Sequence, residues 1–459
     1  MIKKPNIILI LADDMGYGDF GKFSEGRTKT EALDYLAGEG VCLSQHYSAS
    51  TVCAPARAAL LTGRYPHRTG AVDTIEARGL DRIALRERTM ADCFNEAGYS
   101  TGLIGKWHNG AFDKRFHPNK RGFKEFCGFC GGWQDYWEWA LDYNGRLEKS
   151  DGRYLTDVFT EEALAFINRH KTEPFFLHLS YNAPHFPLQC PKEDIAVFAE
   201  SRNTPEVNTV YGMIHRMDKG ILKILETLEK LKLTENTIVL FSSDNGPHLK
   251  GKLERWNCNL AGAKTTVYEG GIRVPMIMRW PAGGLTDGRE CREFVHFTDW
   301  LPTLCAGALI KDRKDLPLDG ENILDVLQEK RQRSDSHHFW QWNRYTPNIE
   351  TNAAFRDGNW KLLRPLIAES IALHGNDGEI DRESKKHPHD FSLITEPVPE
   401  YRVNTPSNLE LYNLDMDPCE SHNLVSEEAD RVHRMNGELE NWFEEVMKEW
   451  NESVKLNLN

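Results

Sequence analysis

Four apolar runs of strand length lie in the first 243 residues of the chain, and each is followed by polar or ionisable residues. The runs span residues 7–12, 101–105, 175–180 and 238–243. They lead into Asp13-Asp14, Lys106-Trp107-His108, Asn182-Ala183-Pro184-His185 and Asp244-Asn245-Gly246. Helix-like stretches lie between the runs, and this alternation predicts a largely parallel sheet with helices on both faces. Because ligands of open α/β sheets bind beyond the carboxyl ends of the strands, we expect the polar clusters to converge.

A short helix with a reactive side chain at its start is predicted at Cys53-Ala54-Pro55-Ala56-Arg57. Pro55 suits the first helical turn, and Gly63 suits the end of a helix that runs through Arg57 to Thr62. The free N–H groups of the helix start favour an anion, and a guanidinium one turn later pairs well with a tetrahedral oxyanion. The segment therefore indicates a sulfate or phosphate site beside Cys53. A buried structural cysteine at a helix start is the alternative.

The two acidic clusters offer only oxygen donors for a metal ion. Asp13, Asp14, Asp244 and Asn245 suit a hard divalent cation, and no histidine lies close enough in the sequence to suggest zinc. We expect one Ca²⁺ per chain, with Mg²⁺ as the alternative ion. Taken singly, a pair of aspartates after a strand is more typical of a cap or surface turn.

Composition excludes several classes of protein. The 459 residues carry a formal net charge of −13, which argues against non-specific nucleic-acid binding and requires any anion specificity to be local.

The apolar run that ends at Ala12 is too short for a secretory signal or a membrane span, so no membrane association is expected. A cytoplasmic location is expected for the chain as given, and a periplasmic or secreted one if a signal peptide has been removed. Ten irregularly spaced cysteines do not predict a disulfide framework, and the lone Cys127-Gly128-Phe129-Cys130 is a weak zinc or redox signal.

The second part of the chain predicts a smaller domain. Residues 206–232 have the apolar spacing of a long amphipathic helix, and the charged run at residues 329–336 marks a domain boundary. We therefore predict a catalytic domain at residues 1–330 and a C-terminal α+β subdomain at 331–459 that packs on it and helps to shape the substrate pocket. Its expected strands are 338–342, 353–356, 360–363 and 409–414. A final docked helix is expected at about 427–450, with Ser426 as the N-cap.

Several sequence blocks together resemble the family I sulfatases of the alkaline phosphatase superfamily. The helix with Cys53 carries the pattern C-x-P-x-R followed by L-x-T-G, and the other blocks occur in the order of that family. They are residues 6–14, Gly105-Lys106-Trp107-His108, Ala183-Pro184-His185, Ser243-Asp244-Asn245-Gly246, residues 269–275 and the segment 411–420. The resemblance implies an alkaline-phosphatase-like fold, with a large, mostly parallel mixed sheet flanked by helices.

The resemblance also implies the nucleophile and its cofactors. In that family the cysteine of the signature is oxidised to formylglycine, whose hydrate attacks the sulfur of a sulfate ester. Cys53 would be modified by a formylglycine-generating maturation enzyme, a transient partner. The oxidised side chain would hold the Ca²⁺ together with Asp13, Asp14, Asp244 and Asn245.

The remaining roles implied by the resemblance concern charge and protons. Arg57, Lys106 and Lys264 would neutralise the sulfate oxygens. His185, helped by Lys264, would donate a proton to the departing alkoxide. His108 would take a proton from the hydrate to release sulfate, and proton transfer near neutral pH suits histidine. Lys250 or Lys252 could replace Lys264, and Lys106 with His108 could be a surface pair.

The expected activity is that of a sulfuric ester hydrolase acting on a sulfated carbohydrate. The aromatic segment 126–143 could stack on sugar rings or form a local core, and Trp340, Trp342 and Asn343 could reach the pocket. One alternative is a phosphonate or phosphate ester hydrolase of the same superfamily. Another is a catalytically silent protein that binds sulfated glycan. The sequence leaves the oligomeric state open.

Overall fold

The computed structural model of the protein describes residues 4–310, 316–333, 337–386, 391–401, 403 and 406–454. Its strands are short at the edges of the main sheet and fully buried at the centre. In chain order they are β1 (Asn6–Ala12), β2 (Val41–Leu43), β3 (His46–Tyr47), β4 (Ser100–Lys106), β5 (Glu125–Phe129), β6 (Ala140–Tyr143), β7 (Arg146–Lys149), β8 (Phe175–Ser180), β9 (Thr237–Ser243), β10 (Met276–Arg279), β11 (Arg289–Cys291), β12 (Val295–His296), β13 (His338–Gln341), β14 (Ala353–Asp357), β15 (Trp360–Arg364) and β16 (Glu410–Asn413).

The α-helices lie mainly between the strands of the first 310 residues. They are α1 (Glu31–Gly38), α2 (Cys53–Thr62), α3 (Pro66–Thr69), α4 (Met90–Glu96), α5 (Leu155–His170), α6 (Lys192–Ala196), α7 (Pro205–Lys230), α8 (Glu269–Ile272), α9 (Trp300–Gly307), α10 (Leu324–Leu327), α11 (Asp377–Lys386) and α12 (Ala429–Glu449). No helix within the described ranges is long and apolar enough to cross a membrane.

The main sheet has the predicted mixed and mostly parallel architecture. Among the described residues it contains ten strands in the order β11-β2-β10-β9-β1-β8-β4-β5-β6-β7. The neighbouring strands β9, β1, β8, β4 and β5 are parallel, whereas β10 and the β6–β7 hairpin run antiparallel to their neighbours. The four predicted strands are confirmed as β1, β4, β8 and β9. They are adjacent in the centre of the sheet, so their carboxyl ends share one edge.

Alternating side chains of the central strands build a core on each face of the sheet. In β1, Ile8 and Ile10 pack in the core that includes Met217 of α7, whereas Ile7 and Leu9 pack in the core that includes α2 and α9. Burial on both faces explains why the central strands are continuous apolar runs and do not alternate with polar residues.

The long helix α7 confirms the amphipathic segment. Its buried positions include Val210, Ile214 and Met217, as the apolar spacing predicts. Leu222 is a further apolar residue of this segment, but it is 37% exposed, whereas the preceding Ile221 is buried.

Residues after 337 form a small antiparallel sheet in the order β13-β14-β15-β16, covered by α12. All four predicted strands of this region are present within one or two residues. Trp442 of α12 stacks on Phe339 with ring centroids 5.0 Å apart, so this helix docks as expected. The N-cap of α12 is Glu428 rather than Ser426, and its side chain makes no capping hydrogen bond. The expected boundary at 330/331 stays a prediction, since residues 334–336 of the charged run lie outside the described part of the chain.

A buried ion cluster joins the small sheet to β3 and α8. Lys361 of β15 has no exposed side-chain surface, and its Nζ lies 3.0 Å from Glu269 Oε1 and 2.8 Å from Glu420 Oε1. Tyr47 of β3 also donates a hydrogen bond to Glu269, at 2.6 Å. Burial raises the pKa of Glu420 to about 7, against the opposing effect of the Lys361 ammonium. Lys361 is thus the ammonium that two buried carboxylates share, and Arg273 Nη1 lies 3.7 Å from Glu269 Oε2 as a further cation.

Replacing Lys361 with Met is expected to lower the free energy of unfolding by about 3–5 kcal/mol, because Glu269 and Glu420 would lose the buried cation that they share. Urea unfolding measures the change. Lys330→Met is the control, since Lys330 lies 3.6 Å from Asp325 with both side chains more than half exposed. The control should lose less than about 1 kcal/mol. Equal stabilities of the two variants would contradict a structural role for the cluster.

Candidate functional site

The carboxyl ends of four parallel strands bring the polar clusters together. Ala12 of β1 is in register with Ser243 of β9, and Leu11 of β1 is in register with Ser180 of β8. Ser180 is also in register with Gly105 of β4. The residues that follow these strands therefore meet at one edge of the sheet, as the strand order requires.

Helix α2 presents Cys53 at this edge. Cys53 is the first residue of the helix, and the helix ends at Gly63, whose φ of 69° is left-handed, as the sequence indicates. The Cys53 Sγ is 3.4 Å from the Nζ of Lys264. Burial raises the pKa of the Cys53 thiol to about 12, although the nearby ammonium groups of Lys106 and Lys264 oppose the shift. The thiol is therefore protonated and a poor nucleophile at neutral pH.

Arg57, one turn after Cys53, is held by the ends of two strands. Its Nε and Nη2 lie 2.9 and 2.7 Å from Asp244 Oδ2, and its Nη1 donates a hydrogen bond to Ser180 Oγ at 2.6 Å. Asp13 Oδ1 is 3.7 Å from Nη2. The guanidinium is almost completely buried, so these contacts fix its plane beside the helix start.

Two lysines bind the aspartate pair that follows β1. Lys106 Nζ lies 2.6 Å from Asp13 Oδ2, and Lys264 Nζ lies 2.6 Å from Asp14 Oδ1. Asn245 Nδ2 also donates a hydrogen bond to Asp14 Oδ1, at 2.7 Å. Burial raises the pKa of Asp14, but the charge of Lys264, the nearby His185 and the hydrogen bonds from Lys264 and Asn245 together outweigh this effect and hold that pKa well below its usual range. For Asp13, burial and the nearby charge of Asp244 outweigh the charge of Lys106, so the pKa of this carboxyl is raised.

The structure selects one of the three candidate lysines of the segment 250–264. Lys264 contacts both Asp14 and Cys53. Lys252 pairs with Glu206 on the surface, and Lys250 is exposed. Lys264 is thus the lysine of this segment that the fold brings to Cys53.

His185 lies at the same carboxylate. Its Nε2 is 3.7 Å from Asp14 Oδ2, and its Nδ1 is 2.9 Å from the carbonyl oxygen of Phe186. Burial lowers the pKa of His185 to about 4, although the charges of Asp13 and Asp14 act in the opposite direction. The ring is therefore uncharged at pH 7. The expected proton transfer suggested a pKa near 7, and the lower value arises because the loop removes the imidazole from water.

His108 lies beside the start of α2. Its φ of 53° is left-handed, and its N–H donates a hydrogen bond to the carbonyl of Cys130. The next residue, Asn109, donates from Nδ2 to the carbonyl of Ala54 in the first turn of α2 at 3.0 Å. Lys106 and His108 are both at least 98% buried, so they are not a surface pair.

The oxygen donors of this site fit a hard cation. Ligand atoms of Asp13, Asp14, Cys53 and His185 all lie within 4.8 Å of one another, so the structure adds a thiol and an imidazole, which are softer donors, to the oxygens expected from the sequence. Asp13 Oδ1 and Asn245 Oδ1 are buried oxygens that accept no hydrogen bond from the described residues, which suits coordination of a metal. Asp244 lies outside the group of four, and its carboxylate contacts Arg57 and the Asp14 N–H, at 3.2 Å.

Some residues around the site were not identified from the sequence. Ser180 is the last residue of β8 and binds Arg57, so a polar residue at a strand end was an available signal. Glu76, 3.4 Å from His108, lies in a short 3₁₀ turn without any pattern that could have indicated it.

The aromatic residues divide between core and surface. Tyr136 and Trp139 are buried, and the Tyr136 hydroxyl donates to the carbonyls of Asn182 and His185, so it supports the His185 loop. Trp137 is 38% exposed. Trp340 and Trp342 are at least 98% buried, and Trp340 donates to the carbonyl of Ser48 at 2.7 Å.

Comparison with known proteins identifies the family of this chain. A sequence profile described as "Sulfatase" matches residues 5–308. The chain belongs to the sulfatase family. A second profile, "N-sulphoglucosamine sulphohydrolase, C-terminal", matches residues 263–373.

Relatives of this sulfatase cover most of the chain. The uncharacterized sulfatase YdeN of Escherichia coli (strain K12) is 31% identical and covers 95% of this chain and 84% of its own. Human N-acetylgalactosamine-6-sulfatase is 33% identical over 77% of this chain and 75% of its own. The crystal structure of Ps i-CgsB in complex with k-i-k-neocarrahexaose is 31% identical, with a TM-score of 0.80 over 96% of this chain and 93% of its own. These comparisons establish a sulfuric ester hydrolase with the sulfatase fold.

The glycine before Lys106 provides a test of how the site is positioned. Gly105 has a φ of 110°, and a Cβ there would lie 1.9 Å from the carbonyl oxygen of Ser180. Gly105→Ala should therefore destabilise the protein more than Gly98→Ala, which has a φ of 84° but no neighbour within 4 Å of its Cβ. The control substitution should lower the free energy of unfolding by about 1–2 kcal/mol, because the backbone at position 98 is left-handed. Urea unfolding compares the two variants, and equal costs would show that β4 and β8 can separate at this point.

Proposed function

We propose that the protein removes sulfate from a sulfated carbohydrate with a formylglycine derived from Cys53 and one bound Ca²⁺. The observation that carries the proposal is the placement of Cys53. It starts a helix, contacts Lys264, and has its Sγ within 4.8 Å of ligand atoms of Asp13 and Asp14. The unmodified thiol is protonated at neutral pH, which supports a different functional group at this position.

Asp13, Asp14, Asn245 and the oxidised side chain at position 53 would hold the cation, with Asp244 completing the set. The bound cation would supply Lewis acidity, and the aldehyde hydrate would supply a hydroxyl nucleophile. Asp244 also fixes the guanidinium of Arg57, as its 2.7 Å ion pair shows. Asp244 therefore orients the arginine that meets the sulfate.

The cationic side chains would bind the sulfate group. Arg57, Lys106 and Lys264 surround Cys53 and are balanced by three buried aspartates, so a divalent cation would make the site positive for an anionic substrate. This local charge explains how a chain with a net charge of −13 can bind a sulfate ester.

Two histidines would move protons. His185, at the carboxylate of Asp14, would donate a proton to the departing sugar alkoxide, and the charged Lys264 beside it would assist. Since burial keeps the ring of the free protein neutral, this role requires that the bound anionic ester, acting with the carboxylates of Asp13 and Asp14, raises the pKa of His185 so that the ring carries two protons. His108, beside the start of α2, would accept a proton from the hydroxyl of the oxidised side chain. A sulfated sugar is the favoured substrate class because a relative of similar length, Ps i-CgsB, is described in complex with neocarrahexaose.

Protein produced with a formylglycine-generating enzyme is expected to show aldehyde in the tryptic peptide Thr30–Arg57 by mass spectrometry, and to hydrolyse aryl sulfate. Arg57→Ala should lower kcat by about 100- to 1000-fold, because the sulfate loses a preorganised charged donor. A phosphonate monoester, a phosphodiester and sulfated oligosaccharides complete the panel. Faster turnover of the phosphonate would favour the phosphonate hydrolase alternative. An aldehyde-bearing protein that binds the oligosaccharides without turnover would favour the silent binding protein.

Calcium is expected to stabilise the protein even when Cys53 is a thiol. At 100 times its dissociation constant, Ca²⁺ should add about 2.7 kcal/mol to the free energy of unfolding, with Mg²⁺ as the comparison ion. Asp13→Asn should abolish this effect in a thermal-shift titration. The control is Asp218→Asn. Asp218 is a buried aspartate of α7 that accepts hydrogen bonds from the backbone N–H groups of Ala32 and Leu33 in α1. Loss of the calcium effect in both variants would contradict the assignment of Asp13.

A further inference from the structure

Glu76 forms a buried pair with His108. Its Oε1 lies 3.4 Å from His108 Nε2, and the two residues are 1% and 2% exposed. Glu76 begins a 3₁₀ turn that ends at Arg78. A carboxylate taken out of water needs a donor or a charge beside it, so this contact constrains both side chains.

The backbone ties the segment of this pair to the first turn of α2. Asn109 ties the segment that follows β4 to the carbonyl of Ala54, directly after Cys53. It also donates to the carbonyl of Asp81 at 3.2 Å, which anchors the segment that carries Glu76. The segment that carries His108 is therefore held between the start of α2 and the Glu76 turn.

A glycine allows the close approach of a third segment. The N–H of Gly132 donates to Glu76 Oε1 at 2.5 Å. A Cβ at this position would lie 2.8 Å from His108 Cε1 and 2.9 Å from Glu76 Oε1. The backbone of the aromatic segment thus packs directly on the pair and leaves the carboxylate little freedom to rotate.

Residues from the C-terminal part of the chain also contact the segment around the Glu76 turn. Asp73 binds Arg344 Nη1 at 2.9 Å and accepts a hydrogen bond from the N–H of Tyr345. The N–H of Ile394 donates to the carbonyl of Ala77, next to Glu76. The position of Glu76 is therefore set by residues from three separate parts of the chain.

We propose that Glu76 is a positioning residue for His108, an inference that rests on the proposed function. Its carboxylate keeps the ring proton on Nε2 and leaves the lone pair of Nδ1 for the hydroxyl at position 53. When His108 takes the hydroxyl proton at Nδ1, the electron pair of that O–H bond forms the aldehyde C=O bond. Sulfate leaves with the electron pair of the C–O bond that breaks. The carboxylate then faces an imidazolium and stabilises its charge.

The kinetic test uses Glu76→Gln in the matured protein. This substitution keeps the size and an oxygen acceptor for Gly132 but removes the charge, so kcat for an aryl sulfate should fall about 10- to 100-fold while KM stays unchanged. The matched control is Glu87→Gln. Glu87 is 3% exposed and lies 3.1 Å from Arg64 Nε, away from Cys53. The control should keep the wild-type kcat.

The second test needs no activity and uses protein with a Cys53 thiol. Imidazole ¹⁵N NMR of histidine-labelled wild type should show the Nε2-protonated tautomer for His108, assigned by the signal missing in His108→Gln. Glu76→Gln should lose that preference, because the amide can donate as well as accept.

Specific outcomes would overturn the inference. An Nδ1-protonated His108 in the wild type would do so, and this measurement is independent of whether Glu76→Gln folds. A variant with raised KM and wild-type kcat would instead mean that Glu76 contacts the substrate. If the matured wild type turned over no sulfate ester, the proposed function would fail, and the tautomer would still decide whether Glu76 orients His108.

Discussion

Buried charge balance is the constraint on which the rest of this structure depends. Asp13, Asp14 and Asp244 lie at the carboxyl ends of β1 and β9, where the sheet and its helices remove them from water. Carboxylates in this position need cations, and Arg57, Lys106 and Lys264 supply them from α2, β4 and the loop before α8. Because each cation comes from a different part of the chain, the charges can be satisfied only when these elements are in place. The same contacts hold the cationic groups around Cys53, so the arrangement that makes burial tolerable also builds an anion site.

The small C-terminal sheet supports the site without contributing a cation to it. Trp340 of β13 donates to the carbonyl of Ser48, and the Ser48 hydroxyl donates to the carbonyl of Asp244 at 2.5 Å. Lys361 neutralises Glu269 at the start of α8, a helix that follows Lys264 by five residues. The second sheet therefore stabilises the loops that hold Asp244 and Lys264. These contacts link the packing of the small sheet to the positions of the site residues.

The two histidines occupy different environments. His185 lies beside Asp14, in the group of ligand atoms that fits a cation, and burial lowers its pKa. His108 lies beside Glu76 and the backbone of Gly132, in a segment that Asn109 ties to the first turn of α2. One histidine is thus tied to the proposed metal site and the other to a carboxylate outside it. The separation is consistent with two distinct proton transfers, one to the sugar oxygen and one from the side chain at position 53.

The sequence by itself determined the central strands, the long helices and the chemical type of the site, because these depend on local patterns. Continuous apolar runs are typical of strands buried on both faces, and the polar residues after each run marked the edge where ligands bind. Ser426 was wrong as the N-cap because capping depends on where the chain enters the helix, which tertiary packing decided at Glu428. Tertiary structure also decided which lysine reaches Cys53, since the segment 250–264 offers three lysines and the fold places only Lys264 of the three against Asp14. It alone revealed Glu76, because a contact over 32 positions between a turn and His108 leaves no periodic signal in the sequence.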